Sequence, residues 1–381
     1  NALSLAAPLR HGIGLVHRSE FYPAFRDMFK FFAKKEFYNT SMQAIEERPN
    51  YLLGRDSGLF LAKPGSLQGA EEEFLNSYVG ALPGVRNVVG ASQRAYTGFL
   101  NKLRADTFDT MTKQAESLGT KMSIGSGDEV QATTHARAIA KFINNATGRG
   151  DLGSLNKITN ELNLLFWSPR MISSRINMLA NPKIYMDLPK GMRLEGLKSL
   201  LGIAALGTTI DTLAAYGGAK ISSNILSTDF GKSRFGTKLI DPWGGFQQYI
   251  TFAARFLAGK TDSPKPVSRL DIGERFLSNK LSPAASLARN ILTAKPGSQG
   301  KEGPGTFTTQ YGQPTSIQRE VVKTFTPIFI QDLETLMQSE PDFSSNIGLD
   351  AAMAGASLTG MAQEYPERKG KLGFKKMKVK P

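Results

Sequence analysis

Residues 199–219 run for 21 positions with a single charge, Asp211, and this stretch limits the fold more than any other part of the sequence. A helix of that length, at about 1.5 Å per residue, is about 30 Å long, the thickness of a bilayer's hydrocarbon layer. Its apolar surface must therefore be hidden by protein or by lipid. Asp211, near the middle, costs about 3 kcal/mol on membrane-insertion scales, and the many Gly, Ala and Thr residues reduce the gain from burial. Lys190, Arg193 and Lys198 flank one side and Lys220 the other. A buried central helix and a membrane-inserting helix within an oligomer both fit this pattern.

Around that segment the periodicity predicts a mainly α, multi-helix and extended fold, with a short irregular or hairpin segment near 232–242 and long Gly/Pro loops. The first helix carries Phe25, Met28, Phe29 and Phe32 as its apolar face and has more ring surface than one buried stripe needs, which suits a membrane or partner contact. A second helical region ends near Pro83. A third starts with Ser92 as its cap and turns Tyr96, Phe99, Leu100, Leu103 and Met111 inward, leaving Arg94, Lys102 and Arg104 for water or a polyanion. After a Gly/Ser loop over 119–127, another helix continues through Phe142 to a glycine-rich stop at 148–153, where a domain boundary is expected near residue 150. Ser168 and Pro169 read as a cap followed by a first helical residue, opening a helix that carries Met171, Ile172, Ile176 and Leu179 inward. Asp241, Pro242, Trp243, Gly244 and Gly245 read as a turn. The helix after it presents Phe246, Tyr249, Ile250, Ala253 and Leu257 and stops at Gly259.

Three regions follow: an N-terminal helical domain over 1–150, a helical domain over 151–260 containing the apolar segment, and a loosely packed helical region over 261–381. The last includes a mobile loop at 293–315, two late helices over 316–324 and 327–337, and a small-residue face at Ala352, Ala356 and Gly360. It closes in a basic tail over 368–381. There Arg368, Lys369, Lys371, Lys375, Lys376, Lys378 and Lys380, with no acid among them, supply half of the chain's net charge of +14, and Phe374 offers a stacking ring. Such a tail suits double-stranded DNA without sequence preference, or anionic lipid headgroups. No basic segment precedes the first apolar run, so secretory export is not expected.

Catalytic chemistry finds little to stand on. With no cysteine and three histidines, thiol, disulfide and Cys-based metal chemistry are excluded, and His11, His17 and His135 are too sparse for a zinc cluster or a nucleophile relay. The Asp229-Phe230-Gly231 string lacks every other element of a kinase. Ala254 stands where a phosphate-cradling loop ending at Lys260-Thr261 would need glycine. Ser154 and Lys157 match an acyl-transfer spacing without its partner motifs, and Asp106, Asp109 and Glu71 to Glu73 read as helix-surface charge. No catalytic residue, metal or cofactor is expected.

Several strings carry a likeness: HRSEFYPAFRDMF, RAYTGFLNKLRAD, INNATGRGDLG, LNLLFWSPRMISSRINML and STDFGKSRFGTKLIDPWGGFQQY. Over about residues 10–260 the chain resembles the associated region of large polyvalent phage proteins, long polypeptides in which such a region is joined to enzymatic modules. Those modules are not in this sequence. The resemblance implies a helical virion or injected protein whose partners are other virion proteins or copies of itself, located in the virion and, after delivery, in the host cell or at its membrane. The alternative it implies is an accessory tether of a larger injected enzyme. It assigns no catalysis, so Phe166, Trp167, Pro169, Arg170, Arg175, Asp211, Asp229, Phe230, Gly231, Arg234, Asp241, Trp243 and Gly245 are taken as architectural or partner-contacting.

Overall fold

A computed structural model describes residues 7–62, 86–125, 130–235, 238–264, 266–282, 285–286 and 288–289, with the short strands Thr306–Thr308, Pro314–Ser316 and Ala362–Glu364. The helical region near 71–83, most of the loop at 293–315, the late helices apart from Ser316, which ends a strand, the 352–360 face and the basic tail lie outside the described residues.

The protein is mainly helical, as the periodicity predicts. Its first helices are α1 (Phe21–Ala33), α2 (Lys35–Glu46) and α3 (Tyr51–Asp56), followed by the long α4 (Arg86–Ser117) and by α5 (Thr134–Ala146). α5 is started by Thr133, whose hydroxyl accepts the Ala136 amide at 3.3 Å, supplying one of the acceptors that a helix start lacks. Then come α6 (Thr159–Leu165), α7 (Pro169–Ala180), α8 (Lys183–Met186), α9 (Arg193–Tyr216), α10 (Gln247–Ala258) and α11 (Arg269–Ser278). A capping box between Ser268 and Asp271 opens α11. α10 stops at Gly259, which takes a φ of +63° there, a conformation glycine adopts without steric cost.

One apolar core joins α1, α4 and α5. Phe21, Ala24 and Met28 meet Ala95, Phe99, Leu100, Leu103 and Met111, and Ile139, Ala140, Phe142 and Ile143 close the far side. Here α1 departs from expectation. Its buried stripe is Phe21, Ala24, Met28 and Phe31, whereas Phe29 and Phe32 face solvent and Phe25 is half-buried. Aromatic residues occupy both sides of this helix, so periodicity cannot choose between them. Gly98 of α4 decides: a methyl group there would stand 2.5 Å from a ring carbon of Phe31, so only glycine lets that ring seat. α4 also begins at Arg86, ahead of Ser92, which is buried within it.

Met178, Ile184, Tyr185, Leu188, Met192, Ile203 and Phe246 share the same core, so apolar packing continues across residue 150. The glycines there serve close approach. A methyl on Gly150 would lie 2.2 Å from the Ser174 amide nitrogen, and the Gly150 amide donates to the Arg170 carbonyl at 3.0 Å.

The 232–242 segment is a hairpin. Naming Ser123–Ile124 and Gln131–Ala132 β1 and β2, and Lys220–Ile221 β3, its arms are β4 (Ser233–Phe235) and β5 (Lys238–Asp241), paired Ser233 to Ile240 and Arg234 to Leu239. The antiparallel sheet runs β3, β4, β5 and then Ala362–Glu364, which adds to the free side of β5. That late strand carries no alternating pattern of its own.

Candidate contact surface

α9 is the long apolar segment, and it is turned the opposite way from an ordinary core helix. Its buried positions are Gly196, Ser199, Ile203, Gly207 and Asp211, a stripe of mostly small or polar residues three and four apart. Four of its leucines point out: Leu194, Leu201 and Leu213 are 63%, 65% and 66% exposed, with Leu197 and Tyr216 beside them, while Leu200 and Leu206 pack partly against the core. Small residues on the inner side let neighbours approach the helix backbone. A methyl at Gly196 would meet Leu188 at 2.8 Å, one at Gly202 would meet His17 Cβ at 2.8 Å, and one at Gly207 would meet the Trp243 indole at 2.9 Å.

The hairpin and its turn hold the C-terminal half of α9. Asp211 is buried and accepts a hydrogen bond from the Ser233 hydroxyl at 2.6 Å. Trp243, lying over Gly207, donates from its indole nitrogen to the Gly231 carbonyl at 2.6 Å, and its amide donates to the Asp241 carboxylate at 2.9 Å. Gly231 needs its φ of +65° to turn that carbonyl inward, with Arg234 paired to Asp229 and Phe230 bridged to Ser222 alongside. Gly245 accepts Gln248 at the start of α10. Asp211, Asp229, Phe230, Gly231, Arg234, Asp241, Trp243 and Gly245, singled out from the sequence as architectural or partner-contacting, thus lie on or beside one anchoring turn.

The other singled-out residues lie elsewhere. Phe166 bridges Leu281, and the Trp167 amide donates to the Lys280 carbonyl at 2.7 Å. Pro169 opens α7 as expected. Ser168, however, makes no side-chain cap and sits at a φ of +51°, so the proline alone sets the helix start. α7 then buries Ser174, Arg175 and Met178 and leaves Ile176 and Leu179 exposed, against the predicted face. The reason is the seat of Arg175. It lies over the Phe246 ring at 4.2 Å and donates to the carbonyls of Arg10 and Gly244, and this desolvated setting lowers its pKa to about 10. Arg104, expected to face water, is wholly buried and donates to the Thr147 hydroxyl at 2.8 Å and the Thr147 carbonyl at 3.1 Å. His11 lies among Arg175, Arg104, Arg149 and Arg10; burial first, and then these cations, holds it well below the usual imidazole range. Single charged letters carry no signal for such burial, although Thr147 and the adjoining glycines mark a crowded place.

His17 is a titratable group whose setting spacing alone did not reveal. It packs on α9 at Gly202, and neither ring nitrogen has a hydrogen-bond partner. Burial, then Arg18 and Lys198, against Glu195 and Glu20, lowers its pKa to about 4. The unfolded chain, with an ordinary histidine, takes up a proton through the interval from about 6.5 down to 4 that the folded state does not, so stability present above pH 6.5 is lost as pH falls. Allowing for partial exposure, the loss is about 1–2 kcal/mol. We expect His17→Leu to flatten the acid limb of urea midpoints measured between pH 7 and 4.5; parallel limbs for both proteins would contradict it.

No group of three or more metal-ligating side chains occurs among the described residues. The arrangement offers an apolar helix face on a pinned support. Compared with known proteins, the chain matches no family model, no curated protein and no solved structure.

Proposed function

We propose that this chain is a non-enzymatic component of a phage particle that packs against other virion subunits through the outer face of α9 and accompanies the genome during delivery, its basic tail lying along DNA. The observation that carries the reading is the orientation of α9. Three leucines held in water at more than 60% exposure forgo about 1–2 kcal/mol each that burial would return, and a helix fixed from behind by Gly207, Asp211 and Trp243 cannot roll to hide them. A second apolar surface recovers that free energy. The phage setting comes from the resemblance over residues 10–260.

Contact with an anionic bilayer is the second reading. The helix within Lys190–Tyr216 is long and apolar enough to cross a membrane, its most apolar 18-residue stretch reaching a mean hydropathy of 1.3, and cations stand on both sides of the apolar run 199–219.

Sedimentation velocity and flotation with anionic liposomes at low salt test both readings on the full chain. Replacing Leu194, Leu201 and Leu213 together by glutamine is expected to weaken whichever association occurs by about 100-fold, with circular dichroism unchanged. A chain that neither self-associates, nor binds virion subunits, nor floats with liposomes, or one whose association ignores the three substitutions, contradicts the proposal.

A further inference from the structure

The outward side of α1 is a second surface with its own logic, independent of α9. At 100° per residue its exposed positions fall into two adjacent rows. Tyr22, Phe29 and Phe32, 65%, 49% and 36% exposed, form one row. Arg26 and Lys30, with side chains 71% and 48% exposed, form the other, and Lys34 and Lys35, both exposed, follow where the chain leaves the helix. The rings are braced from beneath. Phe29 stands edge-on to Phe25 at 5.3 Å and Tyr22 edge-on to Phe21 at 5.9 Å. Asp27, largely buried on the core side of the cation row, pairs with Arg26 at 3.4 Å and Lys30 at 3.1 Å and ties both cations to this helix. Glu36 is the single exposed carboxylate between residues 21 and 36.

We propose that this face binds single-stranded nucleic acid, bases stacking on Tyr22 and Phe29 while phosphates follow Arg26, Lys30, Lys34 and Lys35. Stacking needs unpaired bases with free π-faces, and a track of cations alongside rings neutralises the backbone of the same strand. Tyr22 and Phe29 are seven residues apart, about 10 Å along the axis, the length of roughly three nucleotides at about 3.4 Å each. A duplex hides its base faces, so the ring row adds nothing to duplex binding. A bilayer fits less well, since the exposed ring row is about 80° wide, short of the roughly 100° or wider stripe of an amphipathic helix, and the opposite side of α1 is already in the core.

Fluorescence anisotropy with labelled oligo-dT, with a duplex of equal length and with vesicles containing phosphatidylglycerol tests it on the full chain. Tyr22→Ala with Phe29→Ala should weaken oligo-dT binding by about tenfold per ring, leave duplex binding by the remaining cations unchanged, and be rescued by Tyr22→Trp with Phe29→Trp. Lys30→Ala with Lys34→Ala should weaken oligo-dT binding and reduce its salt dependence. If the alanine pair leaves oligo-dT binding intact, lowers oligo-dT and duplex binding equally, or lowers vesicle binding alone, the inference is overturned. Unchanged thermal unfolding of the alanine pair separates loss of the face from loss of the fold.

Discussion

Replacing Arg175 by alanine is expected to lower the unfolding free energy by about 3–5 kcal/mol, read as a shift of the urea midpoint at constant slope. The side chain is 1% exposed and joins three segments, reaching the carbonyls of Arg10 and Gly244 while its guanidinium covers Phe246. Truncation leaves two inward carbonyls without this donor and opens a cavity of nearly the whole side chain. Arg175→Met separates the two contributions. It keeps most of the volume and removes a buried charge, whose desolvation already lowers the native pKa to about 10, so its cost should be about 1–2 kcal/mol. Equal losses for the two variants would mean that the guanidinium's polar contacts, rather than its packing, hold the junction of α7 with the turn before α10.

Gly150→Ala is expected to cost about 3 kcal/mol or more. The new methyl would stand 2.2 Å from the Ser174 nitrogen and 2.7 Å from the Ser173 carbonyl carbon, backbone atoms that cannot rotate away. To make room, α7 would have to move from α5, breaking the Gly150 to Arg170 hydrogen bond and the bond from the Ser174 hydroxyl to the Asn145 carbonyl at 2.6 Å. Gly273→Ala is the control. It lies inside α11 with nothing within 4 Å of the added carbon, so alanine should stabilise by about 0.5–1 kcal/mol through helix propensity and lower unfolded-state entropy. A Gly150→Ala protein as stable as the Gly273→Ala protein would show that the 148–150 crossing is loose.

Much of the fold could be read in advance where local chemistry acts alone. Pro169 starts α7, Gly259 ends α10, and the turn at Asp241 to Gly245 falls where Asp, Pro and Gly allow little else. On α4, Phe99, Leu100, Leu103 and Met111 are buried as their spacing predicts, although Asn101, Arg104, Thr107 and Thr112 of the same helix are buried as well. Local chemistry failed where two faces were chemically alike or where polar groups went inward. α1 is aromatic on both sides, and the choice rested on Gly98, more than sixty residues away. In α7 an apolar stripe through Met171, Ile172, Ile176 and Leu179 lost to Arg175, because carbonyls from two distant segments and the Phe246 ring were waiting for it. Arg104 went inside for a similar reason, with Thr147 as its acceptor.

The candidate surface divides in the same manner. That a long, weakly apolar helix runs through residues 199–216 was determined by the sequence, because helix length and hydropathy are sums over neighbours along the chain; the helix starts earlier, at Arg193, and stops at Tyr216, short of residue 219. Which side of that helix meets water was decided by tertiary structure alone. The inner stripe is chosen by Leu188, His17, Ser233 and Trp243, contributed by different parts of the chain, each needing a glycine or a polar partner on α9 to dock against. Those contacts outweighed the burial of three leucines, and no periodicity within the helix records them.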